Sequence, residues 1–107
     1  MYWRLSSALP PPDYVVLAEV SFGALLNARK GASRYSFSQK RADFVVLDKS
    51  FKVLAIVELD DSSHQGREDR DQARDAMLTS AGYRVLRYKT VPDVERTRTD
   101  ILAPATA

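Results

Sequence analysis

Two acidic residues share one face of the most apolar segment of this chain. In the run from Val53 to Asp60, Glu58 and Asp60 lie two positions apart, so in a β-strand both side chains point to the same side. A buried carboxylate is costly unless hydrogen bonds, a cation or a metal ion compensate its charge. Two acids on one face of an apolar strand therefore indicate a site rather than ordinary surface.

A third acid, Asp43, begins another apolar segment, and the turn DKSFK separates the two. If Leu47 lies opposite Leu54 across that turn, Asp43 faces Glu58, although a slip of one residue would change the pairing. Three carboxylates this close repel one another, and a hard cation relieves the repulsion. Oxygen ligands favour Mg²⁺ or Mn²⁺ over zinc, so we predict Asp43, Glu58 and Asp60 as ligands of one of these metals.

Residues beside the three acids could assist a reaction on a phosphate. His64, the only histidine, follows the strand end and could act as a base. Lys40 precedes Asp43 by three residues and could offset charge on a phosphate. A basic segment around these positions is predicted to bind nucleic acid through Arg34, Gln39, Lys40 and Arg41.

Each of these residues also has a simpler interpretation. Asp43 could cap its strand or pair with Arg41, Asp60 could be a turn residue, and His64 could enter a helix behind a serine N-cap. The basic segment could be solvated surface, since the formal net charge is only +2. Glu58 is the hardest to explain in this way, because it interrupts a strongly apolar strand.

The elements that must position these residues alternate between strand and helix patterns, which predicts an α/β (α+β) domain with one mixed sheet of about four strands flanked by helices. The predicted elements are a helix end over Met1–Leu9, a strand over Tyr14–Val20, a short helix over Phe22–Ala28, a loop over Arg29–Gln39, strands over Ala42–Leu47 and Val53–Asp60, a helix over Arg67–Ala81 closed by Gly82, a strand over Tyr83–Tyr88, a helix over Val91–Leu102 and a flexible tail over Ala103–Ala107.

Length and composition limit the number of domains and the kinds of site that the chain can contain. A chain of 107 residues fits a single domain over 1–107, and its start within a helix pattern leads us to expect a fragment of a longer protein. The absence of cysteine excludes disulfides and thiolate zinc sites and suits a cytoplasmic location. No apolar run approaches the roughly 20 residues that cross a bilayer, so we expect no membrane contact from this segment.

The stretch QKRADFVVLD…AIVELDDSSHQ…ED, from Gln39 to Asp69, resembles the bacterial group called "domain of unknown function 2726". A strand that begins at Asp43, followed by a hairpin and Glu58-Leu59-Asp60, is similar to the restriction-endonuclease-like PD-(D/E)XK superfamily. An ExD motif with a nearby histidine resembles its very-short-patch repair branch.

This resemblance implies a restriction-endonuclease-like fold and metal-dependent hydrolysis of nucleic-acid phosphodiesters, with DNA as the preferred partner. Position 60 holds Asp where the superfamily usually holds Lys, so Lys40, Gln39 or His64 would have to substitute. The acid that the family tends to carry in a helix before the first strand is missing from residues 1–12. We therefore carry three hypotheses: a metal-dependent nuclease, a catalytically inactive module that binds nucleic acid or a protein, and a dimerisation domain that uses the edge of the strand over Tyr14–Val20.

Overall fold

The computed structural model describes residues 1–27, 41–59 and 75–103. In chain order its elements are helix α1 (Tyr2–Ala8), strand β1 (Tyr14–Ser21), helix α2 (Phe22–Asn27), strands β2 (Arg41–Asp48) and β3 (Val53–Leu59), a helical stretch α3 over residues 75–80, strand β4 (Val85–Tyr88) and helix α4 (Val94–Leu102). The predicted class is confirmed: helices flank a four-stranded sheet that mixes parallel and antiparallel pairs. The predicted loop over 29–39, the helix over 67–74 and the tail from 104 lie outside the described residues.

The sheet has the strand order β1-β2-β3-β4. The first three strands are antiparallel neighbours, and β4 runs parallel to β3 after a crossover that includes α3. The two central strands are covered on both faces, which explains why β3 reads as a nearly continuous apolar run. Among the described strands, β1 lies at one edge of the sheet, the position that the dimerisation hypothesis requires.

Apolar side chains form one cluster on each face of the sheet. On the first face α2 and α3 pack on the strands, with Phe22 and Leu78 fully buried against Ile56. On the second face α1 and α4 pack on the strands, with Leu5 and Ile101 buried against neighbours that include Val57. Because successive strand residues alternate between faces, Glu58 falls on the first face, beside Ile56 rather than Val57.

The register of the β2–β3 hairpin is partly as predicted. Phe44 pairs with Val57 in the register that places Asp43 opposite Glu58, but Leu47 pairs with Val53 and not with Leu54. A bulge between Val46 and Leu47 absorbs the difference.

The conformation of the turn explains the bulge. The Asp48 carboxylate accepts the backbone N–H groups of Ser50 and Lys52 at 2.8 and 3.0 Å, and Phe51 has a positive φ of 64°. These contacts make the turn one residue shorter than a regular ladder would allow, so Leu47 pairs with Val53. The register at the other end of the hairpin, where Asp43 and Glu58 lie, is unchanged.

Two predicted boundaries near the C-terminus are wrong by two or three residues. β4 begins at Val85 rather than Tyr83, because the Tyr83 N–H donates to the Leu78 carbonyl and closes α3 at Gly82, whose φ is 96°. The role of Gly82 in ending that helix is confirmed. α4 begins at Val94 rather than Val91, because Asp93 is its N-cap.

Removal of this N-cap tests how much α4 depends on it. The Asp93 side chain accepts the Arg96 N–H at 2.7 Å, so Asp93→Ala is expected to lower the free energy of unfolding by about 1 kcal/mol. Urea unfolding followed by circular dichroism measures the change. Thr99→Ala, at an exposed position of the same helix, is the matched control and should shift stability by less than about 0.5 kcal/mol. Equal effects of the two substitutions would contradict the capping role.

Candidate functional site

Asp43 and Glu58 meet where β2 begins and β3 ends, as the sequence predicts. Backbone pairing of the two strands extends to Phe44 and Val57, and side chains take over beyond that pair. The Leu59 N–H donates to Asp43 Oδ2 at 2.9 Å, and the Asp43 N–H donates to Glu58 Oε2 at 3.4 Å. Each carboxylate is therefore oriented by the backbone of the opposite strand.

Burial makes this pair of carboxyl groups electrostatically unusual. Glu58 is only 5% exposed. Desolvation is the main cause that raises the pKa of Glu58 from its ordinary value of 4.5 to about 7, and the charge of Asp43 and a hydrogen bond to its side chain contribute. The Asp43 N–H and the charge of Arg87 act in the opposite direction. Without a further cation, the raised pKa lets Glu58 keep its proton to a higher pH than an ordinary glutamate does.

Two residues that the sequence did not assign to the site lie next to this carboxyl pair in the structure. Arg87 of β4 is the register partner of Glu58 in the parallel pair, and it lies on the same face. Its guanidinium forms a bidentate ion pair with Asp75 of α3, with a shortest N–O distance of 2.8 Å and side chains 25% and 23% exposed. We call Asp43, Glu58, Arg87 and Asp75 the acid–arginine row.

The family model described as "Protein of unknown function (DUF2726)" matches residues 1–104. The chain belongs to the DUF2726 family. No curated protein and no solved structure gives a significant match to it. The resemblance noted from residues 39–69 is thus confirmed at the level of the family, over almost the whole of this DUF2726 chain.

Most of the other predicted site residues of this DUF2726 domain lie outside the described residues. They are Arg34, Gln39, Lys40, Asp60 and His64. Within residues 1–27, 41–59 and 75–103, no group of three or more acidic or histidine side chains is close enough to hold a metal ion. The structure brings together two of the three predicted ligands, Asp43 and Glu58.

Arg41 is described, and it does not pair with Asp43. Its guanidinium lies 3.9 Å from the Glu19 carboxylate on β1, and both side chains are mostly exposed. An exposed pair at that distance adds little stability. The simpler interpretation of Asp43 as an ion-pair partner of Arg41 is therefore wrong, because the Asp43 carboxylate bonds to the β3 backbone instead.

A second polar cluster lies on the opposite face and links the sheet to α4. The Tyr88 hydroxyl donates to Asp100 Oδ2 at 2.7 Å, and Arg96 lies 3.5 Å from the same oxygen. Burial, with the hydrogen bond to Asp100 second, raises the pKa of the Tyr88 hydroxyl, so it stays neutral and serves as a donor. Arg84 adds bonds to the Asp100 and Ile101 carbonyls at the end of α4. These contacts hold α4 against the sheet.

Among the described residues, no helix is long and apolar enough to cross a membrane.

Proposed function

We propose that this DUF2726 domain is a metal-dependent nuclease domain that hydrolyses nucleic-acid phosphodiesters, with Asp43 and Glu58 among the ligands of Mg²⁺ or Mn²⁺. The observation that carries the proposal is the pair of neighbouring carboxyl groups at one end of the β2–β3 hairpin, one of them almost completely buried. A fold that only needed to fill this position would place an apolar residue there, as β3 does at Val57.

The residues present fit a hard divalent cation. The donors are carboxylate oxygens, which Mg²⁺ and Mn²⁺ prefer, and each carboxylate is already oriented by a backbone N–H. The repulsion between the two groups, which otherwise favours a proton on Glu58, would instead favour a bound cation. When bound, such a metal supplies an activated water and charge compensation at a phosphate.

The sequence extends the site beyond these two ligands. Asp60, two positions after Glu58, is the proposed third ligand. His64 is the proposed base, and Lys40 is proposed to contact the phosphate. The likeness of the ELDDSSHQ run to PD-(D/E)XK and very-short-patch repair nucleases supports this assignment of roles.

Metal binding and cleavage by the wild-type domain test the proposal together. Mn²⁺ binding is measured by electron paramagnetic resonance, and cleavage is measured on supercoiled plasmid and on single-stranded DNA with Mg²⁺, Mn²⁺ or EDTA. We expect one bound Mn²⁺ per chain and cleavage that EDTA stops. Asp43→Asn should abolish both, whereas Glu19→Gln, which alters an exposed acid on β1, should abolish neither. Absence of Mn²⁺ binding and of cleavage in the wild type would reject the proposal.

A second candidate function is a catalytically inactive, nuclease-derived module that binds nucleic acid or a protein partner. The aspartate at position 60, where the nuclease superfamily usually has lysine, favours it, because the usual cationic group is missing. This function predicts nucleic-acid binding that persists in EDTA and weakens steeply with salt. Arg41→Gln, which removes a mostly exposed cation, should then reduce the salt dependence by about one counterion.

A further inference from the structure

We propose that Arg87, held in place by Asp75, is the fixed counter-charge of the Asp43–Glu58 pair and thus a positioning residue of the site. A link between β4 and α3 would explain the Arg87–Asp75 ion pair alone. It would not explain why the arginine that makes it is the register partner of the one buried glutamate among the described residues. The inference deepens the proposed function, and only its metal-binding part rests on that function.

The strand register places Arg87 next to Glu58. Glu58 and Arg87 are register partners on adjacent parallel strands, which lie about 4.8 Å apart. Their side chains share the face covered by α2 and α3. The positive charge of Arg87 favours the ionised form of Glu58, opposite to the effect of Asp43.

Asp75 limits where the guanidinium can lie. Arg87 Nε and Nη2 donate to the two Asp75 oxygens at 3.1, 2.9 and 2.8 Å, a fork geometry that lysine cannot reproduce. Both side chains are about three-quarters buried, so water and salt screen their charges less than they screen a surface pair. A fixed and weakly screened charge acts on its neighbours more strongly than the charge of a freely moving, exposed arginine.

The charges of the acid–arginine row determine whether each substitution should strengthen or weaken the binding of a cation. Fully ionised, its three carboxylates and one guanidinium leave two net negative charges, which one divalent cation neutralises. Arg87→Gln makes the row more negative, and Asp75→Asn makes it less negative. Both substitutions break the same ion pair, so a role confined to linking β4 and α3 predicts the same loss for each.

The direction of the change in Mn²⁺ affinity distinguishes a counter-charge role of Arg87 from a role confined to linking β4 and α3. If Arg87 is the counter-charge, Arg87→Gln should bind Mn²⁺ about tenfold more tightly than wild type, and Asp75→Asn about tenfold more weakly. Arg87→Lys keeps the charge and should stay within about threefold of wild type. Weaker binding by both Arg87→Gln and Asp75→Asn would overturn the inference.

A double-mutant cycle of Arg87→Gln and Glu58→Gln, measured in EDTA, tests the same inference without a metal. At pH 8, we expect Arg87→Gln to lower the urea midpoint of the wild type at least twice as much as it lowers that of Glu58→Gln. The reason is that Glu58→Gln lacks the carboxylate that needs the counter-charge. If Arg87→Gln alone does not fold, Glu58→Gln should restore folding. Equal losses in the two backgrounds, or no restoration, would overturn the inference. A positive cycle without Mn²⁺ binding by the wild type would reject the proposed function and leave the role of Arg87 standing.

Discussion

In EDTA, the free energy of unfolding of the domain is expected to fall by about 3 kcal/mol as the pH rises from about 5 to about 8. The pKa of Glu58 is raised from 4.5 to about 7 in the folded chain, so the folded state binds a proton that the unfolded state has already released in this window. The stabilising contribution of that proton is fully present below the unfolded pKa and is lost as the pH rises through the folded one. Above about pH 8 this contribution is constant.

Urea unfolding of wild type and Glu58→Gln across this pH range measures the effect. The variant cannot take up the proton, so the difference between the two curves isolates the contribution of Glu58 from that of the other titratable groups. Among the described residues, the charged groups on the strands beside Glu58 that act on its pKa are Asp43 and Arg87. Parallel curves for wild type and variant would show that Glu58 does not retain its proton in this pH range.

The hairpin that builds the site was predictable from the sequence because its signals are local. The turn DKSFK separates two apolar runs, and alternation along each run then decides which side chains share a face. Asp43 and Glu58 come together for this reason, even though the assumed pairing of Leu47 was off by one residue. The bulge that corrects it arises from the side-chain bonds of Asp48, which no hydrophobic pattern reveals.

Arg87 and Asp75 could not be assigned in the same way. Their role depends on the parallel register of β4 against β3, which is set by a crossover through a helix and not by a short turn. In the sequence, Arg87 falls in a group of cations with Arg84 and Lys89, and no pattern marks Asp75. The only signal was that Arg87 and Val85 share a face of β4, and Val85 packs on the first apolar cluster.

The two faces of the sheet differ in how their polar groups are paired. On the α1–α4 side, the polar groups of Tyr88 and Asp100 bond to each other, and Arg98 bonds to the Ala8 carbonyl at the end of α1. On the α2–α3 side, the acid–arginine row leaves like charges side by side in a largely buried position. Local destabilisation of this kind is characteristic of sites that bind a charged ligand, because the ligand provides the opposite charge that offsets the repulsion.

Glu58→Gln is therefore expected to have opposite effects on stability and on function. At pH 8 in EDTA the variant should be more stable than wild type by about 1 to 3 kcal/mol, because an amide of the same shape replaces a buried carboxylate that faces Asp43. The amide oxygen can still accept the Asp43 N–H, so the hairpin end keeps this contact.

The same substitution should remove the response to metal. Saturating Mn²⁺, at about 100 times its dissociation constant, should raise the unfolding free energy of wild type by about 2.7 kcal/mol and leave the variant unchanged. Cleavage of plasmid should fall at least about 100-fold. Glu19→Gln, an exposed acid on β1, is the control and should follow wild type in all three measurements. A variant that gains stability in EDTA and still cleaves would place the metal away from Glu58. A variant that loses stability would show that the fold needs the Glu58 charge. That result would contradict the proposal that burial of this charge destabilises the domain.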